Sequence, residues 1–314
     1  MIIVTGGAGF IGSNLVHELN RRGIDDIIVV DDLTDGRKFT NISQASIADY
    51  QDFEEFRAGF ASGSQSCSDI ERIYHLGACS TTTEWDGRMM LDRNYAYTRD
   101  LIDFCAHRSI PIVYASSAAV YGKSVVFAEN GDNEHPLNVY GYSKQLIDSY
   151  VSRHREKITS QIVGLRYFNV YGPREQHKDS MASVAFHFNR QILESQRIGL
   201  FDGSHGYAAG EQCRDFVHVD DAVATTLWFA DRPDCSGVFN CGTGTAETFN
   251  QVAAAVLEWH GGGRIEYVPF PENLREVYQS FTQADLSLLR GAGCEINFRG
   301  VSEGVRDYLD WLNS

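Results

Sequence analysis

Three glycines spaced G-x-x-G-x-x-G, Gly6, Gly9 and Gly12, stand between the apolar run 2–5 (IIVT) and a helical pattern with Leu15, Val16 and Leu19 apolar. A strand that turns so quickly into a helix has no room for side chains at the turn. Glycine allows the tight turn and the close approach of backbone to a pyrophosphate, and the free N–H groups of the helix start then face the anion. The run 27–30 (IIVV) ends in Asp31 and Asp32, which completes a β-α-β unit. A carboxylate at Asp31 suits the hydroxyls of an adenosine ribose and repels a ribose 2′-phosphate unless a cation compensates. Arg37 and Lys38 follow closely, so these residues leave NAD and NADP both open. Asp49 is a candidate adenine contact at the next strand end. His75, Leu76, Gly77, Ala78 and Cys79 close a further strand where they would line the cofactor.

The same rhythm continues. Apolar strands are predicted at 71–76, 111–115 and 161–166, with helices near 88–107 and 141–156. This alternation predicts an α/β protein: a Rossmann-like doubly wound parallel sheet covered on both faces. After Asn169 the pattern changes to a helix at 181–194, a glycine-rich loop at 203–210, a strand at 214–219, a helix at 221–229 and a strand at 238–241. The tail reads as helix 248–259, strand 264–268, and helices near 282–290 and 301–312. We therefore expect a dinucleotide-binding domain over 1–168, rejoined by the chain around 213–241, and a smaller, mainly substrate-binding C-terminal domain over 169–314. The small, polar segment 58–69 reads as a surface loop. A length of 314 residues suits two such modules.

Charge and cysteine content exclude other classes. A net charge of −15 would meet net repulsion from a phosphate backbone, so nucleic acid is not an expected partner. It does not exclude a small anionic substrate in a local basic pocket. No 18-residue apolar run marks a membrane span, and MIIVTGG carries no basic leader, so a cytoplasmic protein without a signal peptide is expected. Cys67, Cys79, Cys105, Cys213, Cys235, Cys241 and Cys294 form no CxxC or zinc-type spacing. They read as reduced thiols, and no metal site is expected.

The chemistry is carried by YASS at 114–117 and YGYSK at 140–144. Tyr140 and Lys144 are four apart and share a helix face. Ligands of such sheets bind at the carboxyl ends of the strands, where Ser116 sits. A phenol with a pKa near 10 is a poor base at neutral pH, but a nearby ammonium and an oxidised nicotinamide both favour phenolate. Tyr140 would take a proton from an alcohol as hydride leaves its carbon. Lys144 would also hold the nicotinamide ribose, and Ser116 would orient the substrate oxygen. Ser117 is the rival to Ser116, and Tyr142 is a decoy two residues from Lys144 that faces elsewhere.

The strings TGGAGFIG, YASSAAVYG, Tyr140-x-x-x-Lys144 and RYFNVYGPR resemble the extended short-chain dehydrogenase/reductase family of sugar-nucleotide epimerases and dehydratases, across essentially the whole chain. The longer strings GACSTTTEWDG, NVYGYSK, RYFNVYGPREQHKDSMASVAFH and VYQSFTQADL are similar to the branch that inverts C6″ of ADP-linked heptoses for the lipopolysaccharide inner core. The resemblance implies a nicotinamide cofactor, preferably NADP, with NAD possible, and a homo-oligomer, a pentamer. It implies cofactor contacts at Phe10, Ile11, Asp31, Asp32, Lys38, Asn94, Val170 and Lys178, besides the glycines. Lys178 would be a second acid/base residue. Asn169, Ser180 and His187 would meet the sugar. Phe201, Asp202, Gly203 and Ser204 would lie under ADP, with Arg214 on the diphosphate and Tyr278 beside it. Asp32 stands where that branch often has Asn, Phe53 where a basic residue is common, and the segment after Ser204 is longer than usual. A UDP-hexose 4-epimerase is the alternative within the family. A dehydratase would carry an Asp-Glu pair directly after the serine or threonine, where this chain has Ser117-Ala118, which argues against elimination.

Overall fold

The computed structural model describes residues 1–61, 69–272 and 278–314. Cys67, and with it most of the predicted surface loop, lies outside the described residues. The chain divides into two compact units. The first comprises Met1–Val120, Pro136–Arg166 and Val223–Phe239, and the second Tyr121–His135, Tyr167–Ala222 and Asn240–Ser314. The division is thus not a single cut at 168. Residues 121–135 belong with the second unit, and the return to the first begins at 223.

The first unit is organised by strands β1 (Ile2–Thr5), β2 (Ile27–Asp31), β3 (Asp49–Asp52), β4 (Arg72–His75), β5 (Ile112–Ser117) and β6 (Ile162–Tyr167). They lie in the order β6-β5-β4-β1-β2-β3, and strand Gly237–Cys241 adds beyond β6. The pairs β1/β2, β1/β4, β2/β3 and β4/β5 are all parallel. The order reverses between β1 and β4, which opens a crevice at their carboxyl ends. All residues of β1, β2 and β6 are buried, as a sheet covered on both faces requires. Ile3, Val30, Ile73 and Ile112 pack with Leu101, Ile102 and Ile147 of the covering helices. Each such aliphatic side chain contributes roughly 1.5–3 kcal/mol on burial.

The helix expected at 88–107 is interrupted. A turn of α-helix, Gly87–Met90, passes through a π-helical turn, Leu91–Ala96, into helix Tyr97–Arg108. Such single π turns are common where a side chain must be re-aimed at a functional site. Asn94 is the buried residue of this turn.

The second unit has its own core. Helices Val184–Ser195, Phe249–His260 and Val301–Leu312 pack Phe188, Ile192, Val252, Val256, Val305 and Leu309 together. Parallel strands Arg197–Phe201 and Arg264–Val268 form a two-stranded sheet, the first of which has no counterpart in the sequence reading. The helix expected at 282–290 is only Ser287–Gly291. Among the described residues, no helix is long and apolar enough to cross a membrane.

Candidate active site

The glycine turn fits a pyrophosphate cradle. Gly6 has φ +67°, and a Cβ on it would lie 2.6 Å from the Gly77 nitrogen at the end of β4. A Cβ on Gly12 would overlap the Gly6 carbonyl oxygen. Two backbone segments therefore touch where a side chain would part them, and helix Phe10–Arg21 begins directly after Gly9 with no side-chain cap on its first N–H groups. These are the donors an anion would use. Phe10 is buried at the helix start and Ile11 is partly exposed.

Asp31 ends β2. Its Oδ2 accepts the Ala8 N–H at 2.8 Å, which locks the glycine turn to the strand end, while its Oδ1 pairs with Lys38 Nζ at 2.7 Å. Nearby, Arg37 pairs with Asp35 at 2.8 Å and Arg93 with Asp32 at 3.6 Å. The Thr34 hydrogen bond, more than these cations, holds the Asp32 carboxyl below its usual range. Asp49 opens β3 instead of closing it, so it lies away from the carboxyl ends.

His75 is buried, with Nδ1 2.6 Å from the Thr5 hydroxyl and Nε2 2.8 Å from the Thr98 hydroxyl. Burial, aided by the Lys144 charge, pushes its pKa down to about 3. It is a neutral brace between β1, β4 and a helix, so it lines no ligand. Leu76, Gly77, Ala78 and Cys79 are partly exposed beyond it. Asn94 ties this segment down: its Oδ1 accepts the Cys79 N–H at 2.8 Å and its Nδ2 donates to the Cys79 carbonyl at 2.9 Å. The same amide reaches Ser143 at 3.1 Å, whose hydroxyl donates to the Tyr140 carbonyl at 2.6 Å.

Helix Val139–His154 is capped by Asn138, whose Oδ1 accepts the Gly141 N–H at 2.8 Å. It presents Tyr140 and Lys144 on one face, and Tyr142 faces solvent, 45% exposed. Lys144 Nζ donates to the Ala115 carbonyl on β5 at 2.8 Å and lies 6.0 Å from the Tyr140 ring centre. Burial pushes the Lys144 pKa down to about 8, against the raising influence of Asp148. Burial also raises the Tyr140 pKa, opposed by a hydrogen bond with Ser117. In the ligand-free chain Tyr140 is thus a neutral phenol.

The serine assignment needs correction. Ser116 is 2% exposed and donates to Asp148 Oδ2 at 2.7 Å, beside Arg166 Nε at 2.9 Å and the Tyr114 hydroxyl at 2.9 Å on the other oxygen. Side chains alternate along a strand, so when Ser116 points to the buried network Ser117 points to the opposite side, where it meets Tyr140. Alternation, together with an acid one helical turn after Lys144, was the signal for this in the sequence. The set brought together in the first unit is Ser117, Tyr140 and Lys144.

The second unit carries the remaining candidates. Arg214 is 7% exposed, and its guanidinium stacks 4.9 Å from the Tyr278 ring centre and 5.6 Å from that of Phe249. The neighbouring acid in sequence is not its partner. Asp215 accepts N–H groups of Thr243, Gly244 and Ala284 at 2.7–2.9 Å. Burial of Arg214 lowers its pKa, and no ion pair of Arg214 is found among the described residues. A buried guanidinium with aromatic faces and no carboxylate is suited to an oxyanion ligand. Phe201 packs on Phe270, which packs on Tyr278. Asp202 and Gly203 are exposed, and the buried Ser204 accepts from Gln212 Nε2 at 3.0 Å, so its hydroxyl closes the loop. Asn169 and Ser180 are exposed, and Val170, His187 and Lys178 are partly buried. Burial lowers the Lys178 pKa, and the buried Glu175, unremarked in the sequence, opposes that shift.

Comparison with known proteins adds three findings. Residues 2–242 match the model of the NAD dependent epimerase/dehydratase family. The chain is 58% identical over 310 residues to ADP-L-glycero-D-manno-heptose-6-epimerase of Alkalilimnicola ehrlichii, covering 99% of this chain and 97% of that protein. Its structure is similar to that of the Helicobacter pylori protein of the same name (TM-score 0.87, 28% identity, 100% and 96% of the two chains). It is also similar to Thermus thermophilus UDP-glucose 4-epimerase in complex with NAD (TM-score 0.78, 26% identity, 100% and 99%). The expected preference for NADP is overturned: the structural relatives point to NAD. The physical reason lies at β2, where Lys38, which would have met a 2′-phosphate, is paired with Asp31.

Proposed function

The chain belongs to the NAD dependent epimerase/dehydratase family, and from that premise we infer that it interconverts ADP-D-glycero- and ADP-L-glycero-D-manno-heptose by inverting C6″. The observation that carries this reading is the 58% identity, over nearly the full length of both chains, to a protein of that activity. We place the reaction in the supply of the lipopolysaccharide inner core, in a cytoplasmic homopentamer.

The chemistry follows from the carbon. C6″ bears a secondary alcohol and an unactivated hydrogen, so direct deprotonation would leave an unstabilised carbanion. The glycine turn, Asp31 and the segment held by Asn94 would hold NAD, which when bound would supply a hydride acceptor and donor at C6″. Tyr140 takes the alcohol proton onto its phenol oxygen, with Ser117 hydrogen-bonding the substrate oxygen. Lys144 holds positive charge beside the Tyr140 ring and favours the phenolate. Lys178 is the second proton carrier, serving the ketone oxygen in its turned pose. Arg214 and Tyr278 hold the diphosphate, which keeps the ketone bound while it turns.

The test is incubation with ADP-D-glycero-D-manno-heptose, following C6″ by NMR, with UDP-galactose as the rival substrate. Heptose inversion without net cofactor reduction is expected. An untouched heptose with interconverting hexose would overturn the reading in favour of a 4-epimerase. Light scattering of the purified protein tests the pentamer.

A further inference from the structure

Glu175 is fully buried and takes no part in the chemistry above. It lies three residues before Lys178, whose N–H donates to the Glu175 carbonyl at 2.9 Å and closes the turn Gln176–Met181. Its carboxylate gathers donors from three directions. Oε1 accepts the Ser183 hydroxyl at 2.6 Å and the Gly172 N–H at 3.3 Å, and Oε2 accepts the Ser183 N–H at 2.6 Å. Ser183 caps helix Val184–Ser195. Among the described residues, the cation whose charge acts on this carboxylate is Lys178, one turn further on. The backbone is strained before the turn and within it, with Arg174 at φ +71° and Asp179 at φ +48°. Non-glycine residues hold such angles only where their surroundings impose them.

We propose that Glu175 is the positioning residue of Lys178: one buried negative charge anchors the strained turn and keeps the Lys178 amine protonated and aimed. This rests on the reading of Lys178 as a proton carrier. Desolvation acts on the two groups in opposite senses, raising Glu175 and lowering Lys178, and each charge opposes the other's shift. A glutamine at 175 would keep one acceptor oxygen for the turn's donors and remove the counter-charge, and Ser183→Ala separates the loss of a turn bond from the loss of charge.

The test is competitive labelling of lysine amines across pH on the full chain, with Lys178 read by peptide mass spectrometry. Glu175→Gln should lower the Lys178 midpoint by about one unit, which is about tenfold more labelling below it. Ser183→Ala loosens the same turn but keeps the carboxylate, and should leave the midpoint near wild type. No shift in Glu175→Gln, or equal shifts in both variants, overturns the proposal. Coupling is reciprocal, so in Lys178→Met the Glu175 carboxyl, followed by carbon-13 NMR, should titrate higher by the same amount. That second measurement needs no change at Glu175, and an unmoved carboxyl also overturns the proposal. Both readouts work without turnover, whereas failure of the proton-carrier reading would appear in the inversion rate of Lys178→Met.

Discussion

Ser116 donates its hydroxyl to the buried Asp148 carboxylate at 2.7 Å. Asp148 follows Lys144 by one helical turn, and Arg166 and Tyr114 complete its shell. The serine next along β5 is thereby left to Tyr140. Ser117→Ala should lower the inversion rate about 10- to 100-fold with an unchanged melting temperature. Ser116→Ala should retain more of its activity but lose about 1–3 kcal/mol of stability, because it leaves a buried carboxylate short of a donor. Rate measurements and chemical denaturation of the two variants separate these outcomes, and reversed roles would restore Ser116 to the chemistry.

Tyr140 is held as a phenol by burial, so a base form would depend on charge arriving with an oxidised cofactor. Lowering its pKa by about 3 units takes about 4 kcal/mol. The phenolate absorbance of the wild type minus Tyr140→Phe should titrate above 10 without NAD+ and several units lower with it. An identical curve in both conditions would remove this account. Tyr140→Phe should itself invert C6″ at least about 100-fold more slowly.

Acid stability should be governed in part by two buried histidines. The folded chain keeps His75 neutral down to about 3 and His218 down to about 4, both because of burial, whereas the unfolded chain protonates them near 6.5. Between those values the folded state binds fewer protons. Stability is therefore full above about pH 6.5 and falls as pH falls, by about 1.4 kcal/mol per pH unit for each histidine. His75→Gln should flatten the slope of unfolding free energy between pH 6 and 4 by about one proton's worth. An unchanged slope would show that His75 is not neutral in the fold.

Gly6→Ala should break the contact between the glycine turn and the end of β4. Its positive φ and the 2.6 Å approach to Gly77 leave a methyl no place. Protein purified from this variant should carry less NAD than the wild type, measured by chromatography of the denatured extract. Equal NAD content would mean that the turn does not cradle the pyrophosphate.

Arg214→Lys keeps the charge but loses the planar fork and its stacking on Tyr278. ADP affinity measured by calorimetry should fall about 10- to 100-fold, with NAD binding unchanged. Wild-type affinity in this variant would move the diphosphate elsewhere.

Local rules carried much of the fold. The apolar runs IIVT and IIVV, the glycine spacing between them and the strand-helix alternation determined a doubly wound sheet, because buried parallel strands and a glycine turn tolerate few other readings. The spacing of Tyr140 and Lys144 likewise put both on one helix face. Tertiary structure decided what sequence distance conceals. Which of two adjacent serines meets Tyr140 depended on the Asp148 network; whether Lys38 was available to a phosphate depended on its pairing with Asp31; and Arg214 was left without its neighbouring acid because Asp215 bonds backbone N–H groups from residues 243, 244 and 284. Each outcome is a competition for one partner among groups far apart in the chain. Only packing brings such competitors within hydrogen-bonding distance, and so only packing settles them.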